Sequence, residues 1–187
     1  MRHTILRSSI ALFCTTLLFA CTPTAPQAPA SPSSAAPMHA DWTSYKSPED
    51  GYTMELPPMW QINHADIEQH LVLFNNSDDT YRLEMYIAPT VQTLDAYLKK
   101  HDADFATAYE GQPGVKVTGS EKVTVGGTNA IKRHEFANAA GFDTFMAYVL
   151  HGGKIYEMNF LRMDGKPMSV ADTKLFADVL ATVKFSN

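Results

Sequence analysis

From Trp42 onward the chain alternates short apolar runs with clusters of turn-forming residues, the pattern of a β-rich domain. Residues 47–51 (SPEDG) read as a turn, 52–56 as a strand, and Pro57-Pro58 as a break before Trp60. Residues 70–75 and 81–88 are predicted strands joined by the polar loop 76–79. In the second of them Tyr81, Leu83, Met85 and Ile87 share one face at period 2. Two longer hairpins follow, 117–125 with 128–136 and 142–151 with 154–162, each turning at a Gly-Gly pair that suits positive φ. A two-residue turn at Gly152-Gly153 sets Phe145 opposite Phe160, Ala147 opposite Met158 and Val149 opposite Tyr156. The other face carries Met146, Tyr148, Leu150, Ile155 and Leu161, so this central hairpin is expected to be covered on both sides.

Two stretches follow the helical period instead. Thr93 is a predicted N-cap, after which Leu94, Tyr97, Leu98, His101, Phe105 and Ala108 recur at helical spacing until Gly111. Ser169 is the second cap, with Asp172 three residues on and Phe176, Val179, Leu180 and Val183 as the stripe to be buried. Strands, helix, two hairpins and a closing helix make a single α+β domain over residues 41–187, with no internal repeat.

The first forty residues belong to a different pattern. Arg2 and Arg7 form a positive start, residues 10–20 (IALFCTTLLFA) an apolar run, and the small residue Ala20 precedes Cys21. Eleven helical residues span about 16 Å, half of a ~30 Å hydrocarbon core, so the run is too short for a membrane anchor. The layout is that of a bacterial lipoprotein signal, residues 1–20, cleaved between Ala20 and Cys21 with acylation of the cysteine. An ordinary secretory signal is the rival reading, because Phe19 is bulky for a lipoprotein site; the polar, Pro-rich stretch after Cys21 favours the lipoprotein. Residues 22–40 hold five prolines, six alanines and no charge, composition that buries too little apolar surface to fold. They form a tether of up to ~59 Å at ~3.1 Å per residue, which with Cys21 makes up residues 21–40. Thr22, rather than Asp, after the acylated cysteine points to the outer membrane, facing the periplasm, in a Gram-negative host.

Cysteine and charge then exclude several classes. The chain has two cysteines, Cys14 and Cys21; one leaves with the signal and the lipid consumes the other thiol. The mature domain is left without a disulfide, a thiolate ligand or a cysteine nucleophile, and an ordinary core must stabilise it. Loss of Arg2 and Arg7 takes the basic count from 15 to 13 against 20 acidic residues, a formal charge of −7. With no basic cluster longer than Lys99-Lys100, neither nucleic acid nor anionic lipid is an expected partner. Membrane association therefore rests on the acyl chains.

Candidate chemistry is sparse. Six histidines survive processing (His39, His64, His70, His101, His134 and His151), and none forms an H-x-H or H-x-x-x-H pair, so no metal site is expected. His101-Asp102-Ala103-Asp104 reads as the wet flank of a helix, and Asp78-Asp79 as part of a polar run. No G-x-S-x-G elbow occurs, Ser120 lies in a predicted strand or edge loop, and the Gly-Gly pairs lack a phosphate loop's strand-to-helix context. No catalytic residue, cofactor or enzymatic activity is expected. Among the aromatics, Trp60 is predicted to plug the core, while Trp42 and Tyr45, at the domain's edge, are the candidate binding residues.

The segment Asp50-Gly51-Tyr52-Thr53-Met54-Glu55-Leu56-Pro57-Pro58-Met59-Trp60 resembles the opening of the PsbP-like family: a glycine turn, an alternating strand, a proline and a nearby Trp. Gly126-Gly127 before a strand, Gly-Lys-Ile-Tyr at 153–156 and a C-terminal helix ending in Val183-Lys184-Phe185 extend the resemblance over residues 42–185. The family includes a Ran-binding import factor and bacterial lipoproteins such as DcrB. The resemblance implies an antiparallel sheet flanked by helices on both faces, an α/β/α sandwich. It also implies no shared catalytic residues and a habit of docking onto larger partners. The expected function is a lipid-anchored, non-enzymatic interaction or assembly module of the cell envelope with a protein partner there. The alternative is a carrier or sensor of a small apolar ligand, drawing on nine methionines and 18 Phe and Tyr residues.

Mass spectrometry of the mature N-terminus should find a diacylated or triacylated Cys21, and Cys21→Ala should abolish palmitate labelling. Unchanged labelling in that variant would refute the assignment.

Overall fold

The computed structural model describes residues 39–88, 93–111, 115–137 and 142–186. They belong to the second of the chain's two units, Pro37–Asn187. The expected signal, Ala20, Cys21 and nearly all of the tether lie outside the described residues.

Seven antiparallel strands form the main sheet: β3 (Gln61–Asp66), β4 (Leu71–Asn75), β5 (Tyr81–Ala88), β9 (Lys154–Arg162), β8 (Phe142–His151), β7 (Thr128–Ala137) and β6 (Val115–Val125), in that spatial order. A smaller sheet orders β1 (Thr43–Lys46), β2 (Tyr52–Leu56) and β10 (Lys184–Phe185). Helix α2 (Val170–Thr182) packs with the small sheet on one face of the main sheet, and α1 (Leu94–Ala108) lies on the other. The predicted α+β arrangement with a helix on each face is the one observed. The central register is also the predicted one, with Phe145 opposite Phe160, Ala147 opposite Met158 and Val149 opposite Tyr156.

The core sits between the main sheet and the α2 layer. Alternation sends Leu83, Met85 and Ile87 of β5, Tyr156, Met158 and Phe160 of β9, and Ala147 and Val149 of β8 to the same side. Tyr52, Met54 and Leu56 of β2, with Phe176, Val179, Leu180 and Val183, cover them. Aromatic rings run through this layer in near-parallel planes. Phe160 stands 5.6 Å from both Tyr81 and Phe176, and 6.2 Å from Trp60. Trp60, predicted as a core plug, is half-buried and caps this stack from the rim.

Three strands were not legible in the alternation: β1, β3 and the two-residue β10. Residues of β1 and β3 are almost all exposed or half-exposed, so neither carries the buried period that marks a strand. Their pairing with β2 and β4 defines them instead.

The start of α2 is tied to the sheet by one carboxylate. Ser169 and Asp172 form a reciprocal capping box. Asp172, buried, also accepts from the Tyr81 hydroxyl at 2.8 Å and from Arg162 at 3.1 Å. Burial disfavours its charge, but the hydrogen bonds from Ser169 and Tyr81 and the Arg162 charge outweigh it and hold its pKa below the ordinary value. A depressed carboxylate pKa contributes stability above the unfolded value, and that contribution is lost as pH falls through the folded value. Asp172→Ala should therefore cost about 2–3 kcal/mol in urea unfolding at neutral pH, combining cap and charged hydrogen bonds. The gap from wild type should narrow below about pH 4; a constant gap would show that the loss is one of packing.

Candidate functional site

The sequence candidates occupy modest positions. Trp42 is half-buried and stacks on His39 with ring centres 4.0 Å apart. Tyr45 lies edge-on to Phe74 at 4.9 Å and beside Tyr52, and burial raises its pKa. Both fringe the core rather than forming a joint exposed patch. The histidines disperse to separate partners. His70 bonds Asp50 at 2.7 Å, His134 pairs with Asp143, His151 contacts Thr128 at 3.2 Å and stacks on Phe185, and His64 is exposed on β3. Among the described residues no three His, Cys, Asp or Glu side chains could hold a metal ion.

The Asp50 turn, which opens the resembling segment, is a structural fastening. Its carboxylate receives Ser47 as well as His70, while its carbonyl accepts the Tyr156 hydroxyl at 2.7 Å. Gly51 takes φ +68°, and its carbonyl accepts from Ser186 at 2.7 Å, which binds the chain's last described residue to this turn.

Two other regions stand apart. The first is the β3 edge. This strand closes one side of the main sheet, so among the described residues its outer backbone groups have no strand partner. Met59, Ile62 and Ile67 along it and at its ends are 74%, 52% and 56% exposed, three of the five large apolar side chains exposed in the described residues. A register shift between Ile62 and His64 bends the strand, and Asp66 is its one charged residue.

The second region is the sheet face under α1. Here the expected apolar surface is interrupted by charge. Arg133 and Glu135 of β7 are 5% and 1% exposed, and Glu157 of β9 is also buried. The Tyr148 hydroxyl contacts Glu135 Oε1 at 3.2 Å and His101 Nε2 at 3.1 Å. Tyr97 of α1 donates to Glu157 at 2.8 Å, and Asn159 donates to its other oxygen at 3.1 Å. Arg133 pairs with Asp102 of α1 and lies over the Tyr148 ring. Burial raises the pKa of Glu135; burial and the charges of Glu157 and Glu135 raise that of Tyr148 well beyond the ordinary phenol value.

His101, expected on a wet flank, is instead turned onto this cluster, and α1 itself contributes no buried residue. The signal was present at period 2: Arg133 and Glu135 share a face with Ile131, and Glu157 and Asn159 share one with Ile155 and Leu161. Reading only the apolar members of that face hid it. At the C-terminal end of α1 the cluster meets a cleft of about 470 Å³ between the helix and β6–β7, with Arg133 in its wall.

No known protein family and no curated protein matches this sequence. Solved structures do match in fold. Cyanobacterial PsbP (CyanoP) from Synechocystis sp. PCC 6803 aligns with a TM-score of 0.56 at 15% identity, over 83% of this chain and 99% of that one. LpqN of Mycobacterium tuberculosis, described as involved in cell envelope biogenesis, aligns at 0.50 and 12% identity, over 78% and 91%. A Bacteroides thetaiotaomicron VPI-5482 protein aligns at 0.53 and 17%, over 79% of this chain; the match spans about half of that longer chain, 49%. The chain therefore has an antiparallel α+β fold similar to that of PsbP.

Proposed function

We propose that this protein is a non-enzymatic interaction module of the cell envelope, held through lipid on Cys21 at the outer membrane and facing the periplasm. Its docking surface is the β3 edge, and the partner is an envelope protein that adds an extended segment to this strand. The observation that carries the reading is the exposed, nearly uncharged strand with Met59, Ile62 and Ile67 along it. Exposed sheet edges commonly carry lysine, proline or a covering loop to prevent pairing. Here the free edge and its apolar side chains together supply the main-chain bonds and side-chain contacts used in strand addition. The fold shared with LpqN, a protein involved in cell envelope biogenesis, agrees with that setting. The reading as a carrier of an apolar ligand has less support, because stacked rings of Tyr81, Phe160, Phe176 and Phe145 fill the space under α2.

A photocrosslinking residue at Ile62 of the full lipoprotein in intact cells should trap one discrete protein adduct. The same probe at exposed Thr124, on the far edge strand, should not. Ile62→Asp combined with Ile67→Asp should abolish co-purification of that protein while changing stability by no more than about 0.5 kcal/mol per site. Equal adducts at both positions, or retained co-purification, would remove β3 as the docking edge.

A further inference from the structure

Polar atoms buried without a hydrogen-bond partner concentrate under α1. Eight occur among the described residues, and five of them belong to this face: Arg133 Nε and Nη1, His101 Nδ1, Thr144 Oγ1 and Asn159 Oδ1. Arg133, Met146 and Asn159 lie directly opposite one another across β7, β8 and β9, and Thr144 opposes Glu135 in the next row. Each such group costs about 1–3 kcal/mol, so native folds keep few of them. Of these residues Arg133 lines the cleft at the end of α1, a helix with no buried side chain.

We propose that the cleft at the end of α1 binds a small monocarboxylate with an apolar body, and that Arg133 receives the carboxylate. The guanidinium is a planar fork matched to carboxylate oxygens. One arm, Nη2, holds Asp102; the nearest further carboxylate, Glu135, stands 3.9 Å from Nε, beyond hydrogen-bond range. Nε and Nη1 are therefore unspent. Asp102 is 50% exposed and can swing into solvent, which frees Nη2 beside the unspent Nη1 for a two-point contact with the ligand's carboxylate.

Lys116 lines the same cleft and forms no ion pair among the described residues, adding a second positive charge at the rim. Phe105, Ala106 and Val117 supply apolar wall for the ligand's body. Glu110 and Asp102 stand on the helical side and oppose a second negative charge, which selects a monoanion over a phosphate. The volume of about 470 Å³ falls in the range of small-molecule sites. The cleft borders β6, the edge strand opposite β3, so it is separate from the proposed docking edge and is tested independently of it.

Calorimetric titration of the full acylated protein with 3-phenylpropionate tests the proposal, with 3-phenylpropionamide and inorganic phosphate alongside. The acid should bind saturably at one site, and the amide should bind about tenfold more weakly or worse, the loss expected for one charged hydrogen bond. Phosphate should give no saturable heat. Asp102→Asn should tighten binding several-fold by releasing Arg133, and Lys116→Ala should weaken it. Arg133→Gln should abolish binding, and because that buried substitution can unfold the domain, the two exposed variants carry the decision. Absent saturation with the acid, equal affinity for the amide, or affinity indifferent to both Asp102→Asn and Lys116→Ala would overturn the site.

Discussion

Phe160 is surrounded by rings: Tyr81 beside it on the sheet, Phe176 from α2 above, and Trp60 at the rim. Such a cluster forms only if β5, β9 and α2 are already in register, because moving any strand by one residue turns its ring to the opposite face. The capping box at Ser169 and the bonds from Tyr81 and Arg162 to Asp172 fix where α2 starts, and so which of its residues meets Phe160. Geometry on the polar side follows from the same register. With the α2 face committed to rings, alternation leaves Arg133, Glu135, Glu157 and Asn159 no choice but the face under α1.

That division explains what the sequence disclosed. Elements with one fully buried face, such as β5 with Leu83, Met85 and Ile87, declare themselves, since burial imposes the period. Both Gly-Gly turns were legible because only a positive φ fits them; at Gly126 a side chain would also collide with Phe185, 2.7 Å away. Strand β3 was not legible. Its residues are exposed on both faces, so its pairing with β4 is a property of the assembled sheet rather than of QINHAD. The site under α1 was half legible. Its charged residues alternate correctly, but nothing local says that His101, 34 positions before Glu135 in the chain, will stand over it. Trp42 and Tyr45 show the converse: nothing in the tether-proximal sequence says that Phe74 will stand against Tyr45.

The two unusual regions differ in kind. The β3 edge presents unpaired backbone groups beside exposed Ile62 and Ile67, the features on which its proposed role in docking rests. The α1 face offers fixed charge at low dielectric, where each unpaired donor is costly and therefore selective. The β3 edge and the cleft beside β6 lie at opposite ends of the sheet's strand order.

The small sheet has a further consequence, for the order of events during folding. Strand β2 pairs with β1 on one side and, through Thr53 and Tyr52, with Lys184 and Phe185 on the other. Glu55 bonds Thr182 across a separation of 127 residues. Contacts of such range carry a large loop-closure cost and slow the search for the native state. A chain emerging from its N-terminus can build β1–β2 early, yet Tyr52 and Met54 stay uncovered until residues 176–185 arrive. Completion of the core therefore waits until residues 176–185 have emerged, and a chain cut short before α2 leaves Tyr52 and Met54 without the layer that covers them.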